Sequence, residues 1–554
     1  MGIYVNQVGY VTGGKKVAAA NVNGYFQLFN ADTDEMIKEV FASYKGEDAA
    51  SGDEIWQIDF SEVKEEGNYY ILDADTGTKE RSDTFRIADD VYEELQKALV
   101  KALYYQRCGC GLDEKYAGIY KHAVCHKEPA ILLQDYVNHT KDPKTYELCG
   151  GWHDAGDYGR YSSAAAVALG HLLYAFELFP QSFEAELNIP ESGNGTPDVL
   201  NECRYELDWL IRMQDEEGGV YHKLTAFSHA DFLMPEEDLD QLLIFPVSSI
   251  ATADYAAVMA LASRVYRLFD PEFADRALKA ARKSFEWLTK HDYIGFHNPE
   301  GSNTGEYDDE CDMDERMWAA AELLRSDPEG DTESYRKMLE QYVFSEIGKT
   351  DMGWTDVGGF TLLALLTDPD EVAGEKVTDV LKKAMYEECD RLLEIREGSG
   401  YLLAMKPDEF VWGSNMVVCN RGILFILAAY LADPEQGYTT EEKMALYDMA
   451  AYDQLHYLLG RNALNRSYVT GFGEHAYRNP HNRPTAMDGI DDPMPGWVSG
   501  GPFKTPCDED AMKLIPAGTP PMKCHADVAG SYSTNEITIY WNSPAAFMTA
   551  YFNR

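Results

Sequence analysis

The spacing of the apolar residues changes once, at Ala88-Asp89-Asp90, and this change divides the chain into two regimes. From Ile3 to about Ile87 short alternating runs are separated by turn residues, as in Gly24-Tyr25-Phe26-Gln27-Leu28-Phe29-Asn30 and Gly67-Asn68-Tyr69-Tyr70-Ile71-Leu72-Asp73. Several period-two runs at close spacing predict a small antiparallel sandwich. This stretch contains no Cys or His, so an accessory or structural role is expected, with a carbohydrate-binding face as the alternative.

Beyond the break the period is about 3.6. Val91-Tyr92-Glu93-Glu94-Leu95-Gln96-Lys97-Ala98-Leu99-Val100 opens a helix with acids in its first turn, where they suit the helix dipole. Helical patterns recur around 161–179, 197–213, 248–268, 272–290, 312–325, 333–345, 356–366, 375–394, 413–432, 441–460 and 543–553. Some are apolar on all sides, such as Gly422-Ile423-Leu424-Phe425-Ile426-Leu427-Ala428-Ala429-Tyr430, and should be buried; others keep a polar face. No fixed-period repeat argues for a solenoid. Alternating inner and outer helices of an α/α toroid are expected instead, giving a β domain over 1–88 and a helical domain over 89–554. Long loops at 214–247, 291–311, 395–412 and 461–542 are the expected functional segments.

Charge narrows the partners. Lys and Arg total 48 against 94 Asp and Glu, a net charge of −46 that repels nucleic-acid backbones and anionic membranes. No apolar run approaches the roughly 20 residues that span a bilayer. The aromatic content, 36 Tyr, 23 Phe and 9 Trp, supplies flat faces of the kind that stack on sugar rings, although core packing must use most of them. The ten cysteines are scattered from Cys108 to Cys524, a pattern of reduced thiols or metal ligands rather than of a disulfide framework. The chain enters apolar alternation at Met1-Gly2-Ile3 without a basic and apolar leader, so the expectation is a cytoplasmic protein or a secreted one already trimmed.

Chemistry concentrates in Gly150-Gly151-Trp152-His153-Asp154-Ala155-Gly156-Asp157-Tyr158-Gly159-Arg160-Tyr161. Two acids separated by Ala-Gly cannot both enter an apolar core without large desolvation costs, so they are expected to face a polar cleft; a plain surface turn is the alternative. A third acid, Glu536, follows Asn535 near the far end of the chain. Glycosidic hydrolysis needs one carboxylic acid to protonate the leaving oxygen and one carboxylate to activate water or attack the sugar, and these residue types supply both. Cys108, Cys125, His126 and His153 form a two-thiolate, two-imidazole set suited to tetrahedral zinc, with Cys110 and His122 as competitors, although the spacing is not that of a zinc finger. The run Glu306-Tyr307-Asp308-Asp309-Glu310-Cys311-Asp312-Met313-Asp314-Glu315 offers hard oxygen ligands for calcium without EF-hand spacing; a solvated acidic face is the alternative.

Five segments in order, Val5-Asn6-Gln7-Val8-Gly9-Tyr10, Asp154-Ala155-Gly156-Asp157, Ser467-Tyr468-Val469-Thr470-Gly471-Phe472-Gly473, His481-Asn482-Arg483 and Asn535-Glu536, resemble glycoside hydrolase family 9 across nearly the whole chain. The resemblance is to members with an N-terminal immunoglobulin-like domain before an (α/α)6 barrel. It implies an inverting β-1,4-glucanase, most often an endoglucanase on cellulose or related β-glucans, and a monomer without an organic cofactor. By position it makes Asp157 the general base, Asp154 a partner holding the water and Glu536 the general acid, whose pKa burial or negative neighbours should raise. It places sugar contacts at His481 and Arg483, although members often carry a second histidine where this chain has Asn482. Trp412 and Trp541 are the candidate stacking platforms, with core packing as the alternative. The same resemblance implies a structural zinc at Cys108, Cys125, His126 and His153, and a calcium site at Asp314, Glu315 and Asp356. Competing functions are an exo-acting cellodextrinase, β-glucosidase or exo-glucosaminidase, and, in another class, a catalytically silent carbohydrate-binding protein.

Overall fold

In the computed structural model, which describes residues 2–75, 80–432 and 439–553, the alternating N-terminal runs become strands. They are β1 (Ile3–Tyr4), β2 (Gly9–Tyr10), β3 (Val17–Ala20), β4 (Tyr25–Asn30), β5 (Glu35–Glu47), β6 (Glu54–Asp59), β7 (Gly67–Asp73) and β8 (Phe85–Ile87), in the order β1-β3-β6-β5-β4-β7-β8-β2. All neighbours are antiparallel except β2 and β8. The long β5 pairs with β4 through Glu35–Phe41 and with β6 through Ala42–Glu47, so one strand serves both halves of the domain. Period-two alternation sends Phe26 and Leu28 inward to join Ile58, Tyr69, Ile71 and Phe85 in the core, while Tyr25, Gln27 and Phe29 stay partly exposed.

After Ile87 the chain is mainly helical, with twelve helices of nine or more residues among the described residues. They are α1 (Glu93–Tyr105), α2 (Ser162–Leu178), α3 (Asp198–Leu210), α4 (Ser249–Val265), α5 (Pro271–Leu288), α6 (Met313–Ser326), α7 (Thr332–Val343), α8 (Gly358–Leu366), α9 (Glu375–Gly398), α10 (Ser414–Tyr430), α11 (Glu441–Leu458) and α12 (Ile539–Phe552). The last begins at Ile539 rather than near Ser543, because the Thr538 hydroxyl caps it by accepting the Trp541 amide.

Contacts gather the chain into two compact units, residues 1–102 with 388–481 and 491–554, and residues 103–387 with 482–490. Within the second, α2 packs on α4, α4 on α6 and α6 on α8, while α3, α5 and α7 back α2, α4 and α6. The front helices α2 and α4 are buried almost throughout, whereas α5 keeps one polar face. A small sheet crosses the loops of this unit: Arg160–Tyr161 pairs with Lys223–Thr225, which pairs with Leu243–Ile244, which pairs in turn with Ala130–Leu132.

Within the first unit α10 packs on α11 and α12, and the β domain is joined to this helical part by the Val5–Tyr10 segment. Asn6 is fully buried. Its Oδ1 accepts the amides of Val8 and Gly9, and its Nδ2 donates to the Tyr92 hydroxyl and to Nδ1 of His456 in α11. Gln7 binds the Leu459 carbonyl through its amide, the Asn465 carbonyl through Nε2 and the His475 amide through Oε1. The joint is polar and directional.

Candidate active site and metal centre

The Gly150–Tyr161 segment is an irregular, almost fully buried loop leading into α2. Gly151 has φ +78°, and a Cβ there would lie 2.8 Å from the Trp209 ring, so the loop presses closer to α3 than any other residue permits. Gln106 donates from Nε2 to the carbonyls of His153 and Ala155, and the Asp154 amide closes the turn on the Gly159 carbonyl. A sheet, a helix and one buried amide side chain therefore hold both acids.

The two carboxyls have opposite environments. Asp154 is 2% exposed; burial first, and the charge on Asp157 second, push its pKa well above the usual range, against the Tyr307 hydroxyl that donates to Oδ2. Burial acts on Asp157 in the same direction. There, however, His229, whose Nδ1 lies 3.3 Å from Oδ2, the Arg483 charge and the Gly159 amide outweigh it and hold the carboxyl well below the usual range. The Tyr161 hydroxyl also donates to Asp157 Oδ2, at 3.3 Å. The two environments push the paired carboxyls in opposite directions, the separation that assigns roles in paired-carboxyl sites.

Arg483 sits in the same unit, and its guanidinium donates to the carbonyls of Ala230 and Gly156 at 2.9 Å each. It ties the acid turn to the 228–234 loop. Asn482 takes a structural job: its Oδ1 caps the short helix Arg483–Met487 by accepting the Thr485 amide.

In the other unit, Glu536 is half-buried, with its backbone between His481, paired to it as a β-bridge, and Gly500, whose amide donates to the Glu536 carbonyl at 2.8 Å. The buried Asn535 steadies this segment by donating to the Asn479 carbonyl and accepting the His481 amide. His481 Nδ1 donates to the Ala529 carbonyl at 2.6 Å, and its ring lies edge-on to Tyr532. Trp412 is 43% exposed, its ring 5.5 Å from that of Tyr532, and presents an open face. Trp541 does not. It is 3% exposed, and Gly413 and Gly500 approach its indole so closely that a Cβ on either would lie 2.6–2.8 Å from the ring, so core packing corrects its expected role as a platform.

The metal candidates converge: the ligand atoms of Cys108, Cys125, His126 and His153 lie within 4.8 Å of one another, and all four side chains are buried. His153 Nε2 and His126 Nδ1 face each other at 3.3 Å, while the other nitrogen of His126 meets the Asp238 carboxylate at 3.2 Å, the outer partner a metal-bound imidazole ordinarily has. Contact with Cys108 pulls the Cys125 thiol below its ordinary range despite burial. A dry S2N2 set with a pre-aimed second shell fits tetrahedral zinc. Cys110 and His122 fall outside the cluster, His122 turning Nδ1 to the Ala123 carbonyl. No disulfide links any of the ten cysteines.

The calcium candidates form a looser set. Asp314 is buried and accepts the Val357 amide, Asp356 accepts that of Gly358, and Glu315 is fully buried with both carboxylate oxygens unpartnered. Their oxygens do not close within 4.8 Å as a group, a wider arrangement than the sequence implied. Burial, then mutual repulsion, push Asp309 up to about 6 and Asp356 up to about 7 and raise Asp314, Glu315 and Asp254. Acids that repel one another without a cation suit a hard divalent ion. Asp309 belongs to the acidic run that offers calcium ligands in the sequence, whereas Asp254, on α4, has no such signal. Tyr161 and Tyr307 lie in the Gly150–Tyr161 segment and the acidic run, and His229 and Asp238 in the 214–247 loop, but the sequence does not single out any of the four as part of the acid or metal sites.

Comparison with known proteins agrees with this geometry. The family model described as Glycosyl hydrolase family 9 matches residues 92–549, and that described as Cellulase N-terminal ig-like domain matches residues 1–79. A cellodextrinase from Butyrivibrio fibrisolvens is 39% identical over 98% of each chain. The structure of AaCel9A in complex with cellobiose-like isofagomine matches with a TM-score of 0.89 at 33% identity, covering 99% of each chain. A Zn-binding triple mutant of the family 9 endoglucanase J30 matches with a TM-score of 0.88 at 29% identity, covering 98% of this chain and 99% of that one.

Proposed function

We propose that this chain, which belongs to glycosyl hydrolase family 9 and is a β-1,4-glucanase of that family, cleaves short soluble β-1,4-gluco-oligosaccharides with inversion at the anomeric carbon. The observation that carries the reading is the pair of carboxyls in one buried turn, Asp154 accepting from the Tyr307 hydroxyl and Asp157 from that of Tyr161 beside His229. An ionised Asp157 accepts a proton from water as the water attacks the anomeric carbon. Asp154 helps to hold and orient that water by a hydrogen bond. Glu536 protonates the departing glycosidic oxygen; inverting sites generally hold acid and base carboxyls roughly 6.5–9.5 Å apart, room for the water. His481 and the open face of Trp412 contact sugar, and Arg483 acts by holding the Gly156 and Ala230 carbonyls.

Zinc at Cys108, Cys125, His126 and His153 would fasten the loop carrying both acids; four protein ligands leave no open position, so its contribution is structural. Calcium at the Asp314, Glu315 and Asp356 group, with Asp254 and Asp309 beside it, would neutralise the buried acids.

Likeness to the cellodextrinase over nearly both full lengths supports the oligosaccharide preference. Likeness to endoglucanase J30 supports a second reading, internal cleavage of polymeric β-glucan. Product analysis separates them: cellodextrins released stepwise without loss of viscosity support the first, and a rapid viscosity drop supports the second. NMR of the fresh reducing end should show the α-anomer; a β-anomer would refute inversion. The non-catalytic alternative requires a lost acid or base, and Asp154, Asp157 and Glu536 are all present.

A further inference from the structure

Lys223 is a physical anomaly: it is fully buried and, among the described residues, none of its contacts is an ion pair. Buried ammonium groups are ordinarily matched by a carboxylate. Here Nζ meets only neutral oxygens, Asn298 Oδ1 at 2.6 Å, the Gly305 carbonyl at 2.6 Å, Thr304 Oγ1 at 2.9 Å and, more distantly, the Thr304 carbonyl at 3.5 Å, all on the 291–311 loop. Nζ also lies over the rings of Phe245 and Phe296. Such an arrangement satisfies the donors of the group and fixes the geometry of whatever carries the acceptors.

What they carry is the support of both acids. Gly305 is gripped at each end, its carbonyl by Lys223 and its amide by the Tyr161 hydroxyl at 2.9 Å. Tyr161 pairs with Lys223 across the sheet, and the same hydroxyl donates to Asp157. Two residues beyond Gly305, Tyr307 takes the left-handed backbone conformation, φ +48°, which a bulky residue rarely adopts unless its surroundings impose it. That conformation brings the Tyr307 hydroxyl to Asp154 and its ring to 4.7 Å from the ring of Tyr161. His222, beside Lys223, binds the Glu306 carbonyl at 2.8 Å and holds the residue between.

We propose that Lys223 is a positioning residue: by gripping Asn298, Thr304 and Gly305 it holds the loop in the one conformation that sets Tyr307 on Asp154 and Tyr161 on Asp157. The proposal deepens the hydrolase reading and acts through the tyrosines; Lys223 itself touches neither substrate nor reacting atoms. A buried carboxylate partner would satisfy the charge but leave the loop free, which accounts for the neutral acceptors.

The test compares Lys223→Met, which keeps the stem, and Lys223→Gln, which keeps a donor, in wild-type and Tyr307→Phe backgrounds. Hydrolysis of cellotetraose and hydrogen exchange of the 298–307 segment are both followed. Because misplacing a catalytic group by about 1 Å costs on the order of a hundredfold, Lys223→Met should lower kcat by about 30-fold with KM changed less than about threefold. Lys223→Gln should fall between it and wild type. In the Tyr307→Phe background the same change should cost less than about threefold, because residues that act as a unit are not additive. Exchange in 298–307 should accelerate by about tenfold or more in Lys223→Met while α4 keeps its protection. Additive losses in kcat, an unchanged kcat with only a lower melting temperature, or unaltered exchange in 298–307 would each overturn the proposal. Exchange is read without turnover, so a chain inactive on cellotetraose would defeat the hydrolase reading while the hold of Lys223 on the loop is still decided.

Discussion

Replacing Asn6 by alanine should be among the most damaging single changes in the β domain, although Asn6 lies on a loop. Its side chain makes four hydrogen bonds in a fully buried position, to the amides of Val8 and Gly9, to Tyr92 and to His456. At a net value of about 1 kcal/mol each, their loss costs about 4 kcal/mol. The remainder depends on how the stranded groups recover. Tyr92 keeps its bond to the Gly9 carbonyl, whereas the Gly9 amide and His456 Nδ1 each lose their Asn6 partner in a buried position. A loss of about 3–5 kcal/mol follows, within the range reserved for broken buried networks. Urea unfolding followed by tryptophan fluorescence measures it, with Asn68→Ala as the control; the partly exposed Asn68 side chain donates to the Asp32 carboxylate, and its removal should cost less than about 0.5 kcal/mol. A shift for Asn6→Ala below about 1 kcal/mol would show that the joint is carried by Gln7 and apolar packing, and the hydrogen-bond argument would fail.

Asp157→Asn and Glu536→Gln should each reduce kcat by about a thousandfold or more while leaving the melting temperature within a few degrees, and near-wild-type turnover in either would end the assignment. Elemental analysis should find one zinc per chain, lost in Cys108→Ser; chelation should lower the melting temperature, and an enzyme that melts unchanged after complete metal removal would refute the structural role. Added calcium should raise the melting temperature of wild type but not of Asp356→Asn. Burial pushes His222 and His456 down to about 3, so each stays neutral in the folded chain while the unfolded chain takes up a proton below about 6.5. Their stabilisation is therefore complete above about pH 6.5 and lost as pH falls toward 3, on the order of a few kcal/mol per histidine by pH 4.5. His456→Gln should flatten the acid side of the stability curve, and an equally steep curve would refute the assignment.

The sequence carried local information well and tertiary information only where residue types were unusual. Helix positions followed from period, with most ends within a few residues; the start of the last helix was displaced by the Thr538 cap, and Glu375–Gly398 ran as far past its expected end. Cys108, Cys125, His126 and His153 were legible through the family resemblance, since residue types alone left Cys110 and His122 as competitors, and Asp154 with Asp157 because two acids so close have few tolerable environments. His229 gave no signal: its meaning arises only when the 214–247 loop folds back to Asp157. Lys223 looked like any strand residue, since burial of an ammonium is invisible without the loop that covers it. Trp541 was misjudged because nothing in a sequence tells an indole against two glycines from one facing a ligand.

The free thiols give the metal cluster a chemical side as well as a mechanical one. Cys108 and Cys125 lie together in the cluster, Cys149 Sγ rests against the Gly109 carbonyl, and Cys110 feels the charges of both cluster sulfurs. Thiolates are the species that oxidise, and coordination occupies the lone pairs oxidants attack. An ion held here is thus a protecting group for the sulfurs as well as a rivet for the loop. A preparation stripped of metal in air should age irreversibly, whereas one stripped under reductant should recover on reloading, so the order in which metal and reductant are removed becomes part of the enzyme's shelf life.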